Sequence, residues 1–189
     1  VVDPQNEIIT LEDYRMRYSQ YHLDEDLLRL HQQYPWMIVW DDHESADNSW
    51  KNGAGNHDPF TEGSWGARKA VAMQAFFEWL PIRKPEPIND PTRIFRTIKY
   101  GDLCNLYFLD TRLYGRDQQD GTSNFDTART MLGSEQLNWL KNQLIANTSQ
   151  WNIIVQQVML APLEMFGVPV NEDQWDGYPA EREKIYNHI

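Results

Sequence analysis

Trp36-Met37-Ile38-Val39-Trp40-Asp41-Asp42-His43-Glu44-Ser45-Ala46-Asp47-Asn48 is the stretch on which the reading of this chain turns. The apolar run 36–40 predicts a buried strand, and it empties without a spacer into Asp41, Asp42, His43 and Glu44. In open α/β sheets, ligands bind beyond the carboxyl ends of strands, where loops diverge while the strands fix their roots. Carboxylates and imidazoles ligate hard or borderline divalent metals, and imidazole also moves protons near neutral pH. The run is too charged for a core and too concentrated for an ordinary turn. It predicts half of a metal-assisted hydrolytic site, in which a carboxylate ligates metal and His43 does acid or electrostatic work. It is not a complete site, because such centres take about three or more protein ligands and neighbours on one segment rarely all point at one ion. The plain alternative is a solvated strand-end loop whose acids cap the next turn, with His43 at the surface.

Outward from that run, helices and strands alternate. Thr10 with Asp13 forms a capping box for a helix to about His22 that carries Leu11, Tyr14, Tyr18 and Tyr21. Asp24 caps a second helix with Leu27, Leu28 and Leu30 facing inward, ending before Pro35. Residues 45–63 predict a long loop, a length that in a compact domain goes with function. Ser64 opens a helix through about Trp79 with Ala67, Val71, Ala75 and Phe76 as its apolar stripe, and Pro81, Pro85, Pro87 and Pro91 then stiffen a surface connection.

Strands over 93–100 and 103–109 are joined at Gly101-Asp102 as an antiparallel hairpin, so that pair reads as a turn and not as the start of a metal motif. Residues 114–132 are polar and irregular. Ser134 is the expected cap of a helix to about Ala146 carrying Leu137, Trp139, Leu140 and Leu144. A strand over 151–160, a loop over 161–178 and a last helix with Pro179 at its first position complete the chain. The order predicts one layered α/β domain, with no internal repeat.

The chain of 189 residues carries a formal charge of −11, which argues against non-specific nucleic-acid binding, since that needs a cationic surface. A phosphate-bearing substrate stays open, because a metal supplies positive charge locally. Eight Trp, nine Tyr and seven Phe fill a core or line a cleft, and composition does not separate the two. Cys104 stands alone in an apolar run and reads as a packed core thiol. No apolar run reaches the ~18 residues of a membrane span. No signal peptide is visible, and Val1 in place of Met fits an excerpt or a processed form.

Two further constellations carry charge. At Asp110-Thr111-Arg112, Arg112 either forks onto a phosphate or carboxylate or belongs to a brace built on Asp110, and the brace is the favoured reading. At Asp173-Gln174-Trp175-Asp176-Gly177-Tyr178, an acid before a helix start is either an anion or metal neighbourhood or an ordinary turn. In the turn reading, Asp176 caps and Gly177 supplies an unusual backbone angle. His22, His31, His57 and His188 read as surface residues. No His-Glu-x-x-His, glycine-rich phosphate loop or Gly-x-Ser-x-Gly elbow occurs.

Trp40-Asp41-Asp42-His43-Glu44 with Asn48 resembles the central motif of the PhoD-like family, the alkaline phosphatase D type of phosphodiesterase. Other stretches match it in the same order: Ile9–Arg15 with Arg17-Tyr18, Gln74–Glu78, Leu109–Arg112, Leu132–Gln136 with Trp139-Leu140, Trp151-Asn152 with Gln156–Met159, and Trp175–Arg182. The resemblance implies a calcineurin-like metallophosphoesterase fold, a four-layer α/β sandwich of which 1–189 is the middle portion. It implies metal-dependent hydrolysis of phosphate esters, iron and calcium as cofactors, a phosphate-ester substrate and an exported protein. By the family's pattern Asp42 and Asp176 would ligate metal, His43 would be the catalytic, charge-stabilising histidine, and Asp41, Glu44, Asn48, Asp110 and Arg112 would support them. The family places a Gly-Asp-Tyr-x-Tyr-Glu block ahead of the stretch that matches Val1 and a Gly-Asp-x-His block after Ile189. Neither is in this sequence, so the expectation is a partial domain that lacks activity by itself. The alternatives are a non-catalytic scaffold module and, well behind, a glycoside hydrolase using a carboxylate pair, for which His43 would be superfluous.

Overall fold

Strands β1 (Arg96–Tyr100) and β2 (Cys104–Phe108) form the expected antiparallel hairpin, in register from Arg96 opposite Phe108 to Tyr100 opposite Cys104. Gly101 turns the corner at φ +55°, a conformation that costs a side-chain-bearing residue free energy and glycine little. Strand β3 (Trp151–Val155) pairs parallel to β2, so the sheet order is β1-β2-β3. A parallel pair needs a crossover, and helix α4 (Gly133–Ile145) supplies it. The computed structural model describes residues 2–84, 93–119 and 126–189; Pro85, Pro87 and Pro91 lie outside them.

Two main clusters of buried residues form the core. Tyr107 and Leu109 pack with Leu137 and Leu140 of α4, with Met131, Leu132, Trp175 and Tyr178, and with Ile185 of α5 (Pro179–Tyr186). In the second, Trp40, Ala46 and Ala54 pack with Trp65, Met73 and Phe76 of α3 (Trp65–Trp79) and with Leu113. Helix α1 (Leu11–Tyr21) lies on α3 through Tyr14, Ala72 and Ala75. The Thr10–Asp13 capping box and the Asp24 cap of α2 (Glu25–Gln33) form as expected, and Pro179 opens α5. Local signals of this kind need only neighbours in sequence.

Several expectations are corrected by contacts from elsewhere in the chain. Residues 36–40 run without ladder pairing among the described residues. Arg96 Nη2 donates to the Ile38 carbonyl at 2.7 Å and Gln157 Nε2 to the Trp40 carbonyl at 2.8 Å, so side chains do the work of a neighbouring strand. Trp40 is buried, yet Trp36 and Met37 are exposed. Helix α2 buries no residue, and Leu28 and Leu30 face solvent. What holds its end is His31 stacked on Trp36 at 4.3 Å and tilted against His22 at 4.9 Å. On α3 the inward stripe is Trp65, Arg68, Ala72, Met73, Ala75 and Phe76, with Ala67 exposed. Arg68 enters the interior because Glu62 and Glu7 meet its guanidinium at 2.8 and 2.5 Å.

Ser134 does not cap α4; Thr130 Oγ1 accepts from the Gly133 N–H at 2.7 Å instead. Strand β3 stops at Val155, and the expected loop 161–178 contains a short hairpin, β4 (Glu164–Met165) with β5 (Val168–Pro169). Cys104 is half-buried at the start of β2, not packed in the core. His22, His31 and His188 are likewise half-buried. The side chain of His57 is buried, with Nδ1 3.0 Å from Glu62 Oε2 and its ring 5.3 Å from that of Trp65.

Tyr14 joins α1 to the loop after Trp40, since its hydroxyl donates to the Ser45 carbonyl and accepts from Arg68 Nε at 3.3 Å. Tyr14→Phe strands a buried carbonyl and loosens a buried guanidinium. It is expected to lower unfolding free energy by about 1–3 kcal/mol, measured as a lower denaturant midpoint at unchanged slope.

Candidate metal centre

Trp40 anchors the site from below, its ring edge-on to Phe76 at 5.2 Å and to Phe77 at 6.0 Å. Beyond it the chain coils tightly. The N–H groups of Ser45 and Ala46 both donate to the Asp42 carbonyl at 2.8 Å, and Asn48 turns with φ +51° so that its N–H reaches Asp42 Oδ2 at 2.9 Å. Asn is among the few side-chain-bearing residues that adopt this region readily. The coil puts His43 and Asp47 one turn apart on the same side as the Asp42 carboxylate.

Asp42, His43 and Asp47 therefore converge, each offering a ligand atom, with all three atoms within 4.8 Å of one another. His43 Nε2 stands 3.3 Å from Asp47 Oδ1 and 3.8 Å from Asp42 Oδ2. The imidazole is 77% exposed while the Asp42 side chain is only 13% exposed. Two carboxylates and an imidazole are a donor set that suits calcium, manganese, iron or zinc. Three donors are fewer than any of those shells requires, so these residues fit a metal as part of its coordination.

Behind the cluster lies a network of buried charge. The Arg112 side chain is 3% exposed. Its Nε donates to Asp41 Oδ1 at 2.6 Å, its two terminal nitrogens fork onto Asp173 at 2.7 and 2.8 Å, and Nη2 stands 3.8 Å from Asp42 Oδ1. Burial opposes its charge, but its hydrogen bonds to Asp173 and the charges of Asp173, Asp41 and Asp42 outweigh that and raise its pKa further. Asp173 also accepts from Arg116 Nη2 at 2.7 Å and Gln119 Nε2 at 2.9 Å. Burial opposes ionisation of Asp173 too, yet Arg112 and Arg116 hold its carboxyl below the usual range. Glu44 turns inward: burial pushes its carboxyl up, against a 2.6 Å hydrogen bond from the Asp41 N–H.

Asp110 Oδ1 accepts from the N–H groups of Arg112 and Leu113 at 2.7 and 2.8 Å, which is the backbone form of the expected brace. Arg112 meets carboxylates of the chain itself and not open solvent. Asp41, Glu44, Asp110 and Arg112 thus lie behind or beside the cluster. Asn48 contributes its N–H to Asp42, and its side-chain amide donates to Asp47 Oδ2 at 3.1 Å.

Asp176 is not brought to the cluster: its oxygens accept from Arg182 Nη1 at 2.5 Å and the Leu163 N–H at 2.9 Å. It does not cap α5 either, and Gly177 is needed for space, since a Cβ there would lie 2.1 Å from the Glu172 carbonyl oxygen. Sequence reasoning did not single out Asp47, Asp173 or Gln119 as site residues. Asp47 lay inside the quoted acidic run and Asp173 inside the charged stretch before the last helix, and the four-residue spacing of His43 and Asp47 is the local signal that could have marked the former.

A family model described as PhoD-like phosphatase matches residues 1–189. Alkaline phosphatase D of Bacillus subtilis (strain 168) is 38% identical over 195 residues, covering 97% of this chain and 33% of that relative. A solved structure described as "Structure of PhoD" superposes with a TM-score of 0.85 at 35% identity, over 98% of this chain and 37% of that one. The chain belongs to the PhoD-like phosphatase family and has the mixed α/β, metallophosphoesterase-type fold of PhoD. It spans about a third of the length of the relatives it matches. Among the described residues, no helix is long and apolar enough to cross a membrane.

Burial raises the Asp110 carboxyl from 3.8 to about 6, against the opposing N–H groups of Arg112 and Leu113 and the Trp40 indole. Between those values the folded protein keeps a proton that the unfolded chain has lost, so stability falls as pH rises through the window. Asp110→Asn keeps the acceptor oxygen without the charge. Its stability relative to wild type is expected to improve from pH 4 to pH 7 by on the order of 3 kcal/mol. Urea unfolding at the two pH values checks this, and a difference that does not change with pH counts against it.

Proposed function

We propose that the intact protein hydrolyses phosphate esters with bound metal ions, and that Asp42, His43 and Asp47 are this chain's share of the centre. The observation that carries the reading is their convergence within 4.8 Å on a loop braced from behind by Arg112. Asp42 would hold metal, with Asp47 beside it. Asp176, which the family resemblance also put at the metal, is committed to Arg182 and Leu163. In this reading it clamps the segment before β4. Iron and calcium are the ions proposed, and both accept carboxylate oxygens.

When bound, the metal would supply positive charge at the phosphoryl oxygens and a water acidic enough to ionise near neutral pH. The chain's own residues do the rest. Asp47 Oδ1, 3.3 Å from His43 Nε2, orients an imidazole that is open to solvent and hence to substrate. His43 donates to a phosphoryl or leaving oxygen as charge develops there. Arg112, with its guanidinium engaged by Asp41 and Asp173, orients carboxylates and does not touch the ester. Export, proposed on the family resemblance alone, is checked by fractionating the source cells.

Turnover of bis(4-nitrophenyl) phosphate beside metal analysis tests the reading. His43→Ala is expected to lower kcat by roughly 10²–10³-fold, and metal analysis of the variant tells whether the imidazole acts on the substrate or also holds the ion. Chelation removes turnover, and adding metal back restores it. A His43→Ala protein working at the wild-type rate sinks the assignment.

A further inference from the structure

Asp42 is held by a closed ring of contacts whose members come from three distant parts of the chain. Its Oδ1 faces Arg112 Nη2 at 3.8 Å, and Arg112 forks onto Asp173 at 2.7 and 2.8 Å. Asp173 Oδ1 accepts from Gln119 Nε2 at 2.9 Å, and the same nitrogen reaches the Asn48 carbonyl at 3.3 Å. The Asn48 N–H then returns to Asp42 Oδ2 at 2.9 Å. One arm of the ring thus fixes Oδ2 of Asp42 by a hydrogen bond, and the other sets the guanidinium charge that Oδ1 faces. The Asn48 peptide, in its left-handed conformation, is held at the N–H by Asp42 and at the carbonyl by Gln119.

Asp173 is where the two arms meet, and it is fixed in turn. Arg116 is fully buried; its Nη1 donates to the Thr111 carbonyl at 3.0 Å and its Nη2 to the Asp173 carbonyl at 2.8 Å and carboxylate at 2.7 Å. A carboxylate with this many charged and neutral donors has little freedom to rotate, and it passes that rigidity outward along Arg112 and Gln119. We propose that Asp173 is a positioning residue for the metal: through Arg112 and Gln119 it sets the direction in which Asp42 presents its carboxylate, and thereby sets metal affinity. The inference rests on the reading of Asp42 as a ligand. Partners of this kind, one contact removed from the ion, typically govern affinity by roughly 10–100-fold.

The test is the dissociation constant of Mn²⁺ for the intact protein, by titration calorimetry, with folding followed by circular dichroism. Asp173→Asn breaks the ring at its meeting point. Gln119→Leu opens the other arm without leaving a buried charge unpaired, and it decides the matter if Asp173→Asn fails to fold. Each folded variant is expected to bind Mn²⁺ roughly 10–100-fold more weakly than wild type. The double variant should be no weaker than about the worse single one, because both break the same ring. Folded variants within twofold of the wild-type constant overturn the inference while leaving the metal reading intact. A wild-type protein that binds none of Mn²⁺, Ca²⁺ and iron overturns the metal reading, and the inference with it.

Discussion

A single buried guanidinium, that of Arg112, is the constraint around which this structure is organised. Three carboxylates meet it, from Asp41 and Asp42 on one segment and Asp173 on another. An unpaired buried charge is costly, and removing one member of such a pair typically costs about 3–5 kcal/mol. The pairing therefore does more than stabilise. It decides that the segments around 41–48, 110–119 and 173 lie together, and it leaves Asp42 facing outward with His43 and Asp47.

The wider electrostatics follow the same division. The formal charge is −11, and Arg68, Arg112, Arg116, Arg129 and Arg182 are buried. A good share of the chain's positive charge is thus spent inside, on Glu7, Glu62, Asp173 and Asp176, and the exterior is correspondingly acidic. Such a surface repels anions, and a cation bound beside Asp42 and Asp47 would offset that repulsion locally.

What could be read from the sequence was what neighbours decide. The capping box at Thr10 and Asp13, the Asp24 cap, the hairpin through Gly101 and the proline opening α5 each need only a few adjacent residues. The acidic-histidine run was legible for the same reason, since a short coil suffices to gather Asp42, His43 and Asp47. Tertiary contacts were not legible. Asp173 and Asp176 sit three residues apart in one polar stretch, and nothing local distinguishes them. Arg112 and Arg116 claim the first and Arg182 the second. His57 looked like a loop histidine because Glu62 and Trp65, which enclose it, meet it only after the loop folds back. Residues 36–40 have strand composition, but a guanidinium and an amide replaced the ladder.

Asn48 is the narrowest point in this design. Its left-handed backbone admits glycine, asparagine or aspartate with little cost and penalises β-branched residues heavily. Glycine would satisfy the backbone but give up the side-chain contact to Asp47. Evolution thus has few routes through this position, since most exchanges would pull the amide away from Asp42 and unsettle the coil that gathers Asp42, His43 and Asp47, through conformation alone and with those three side chains still in place.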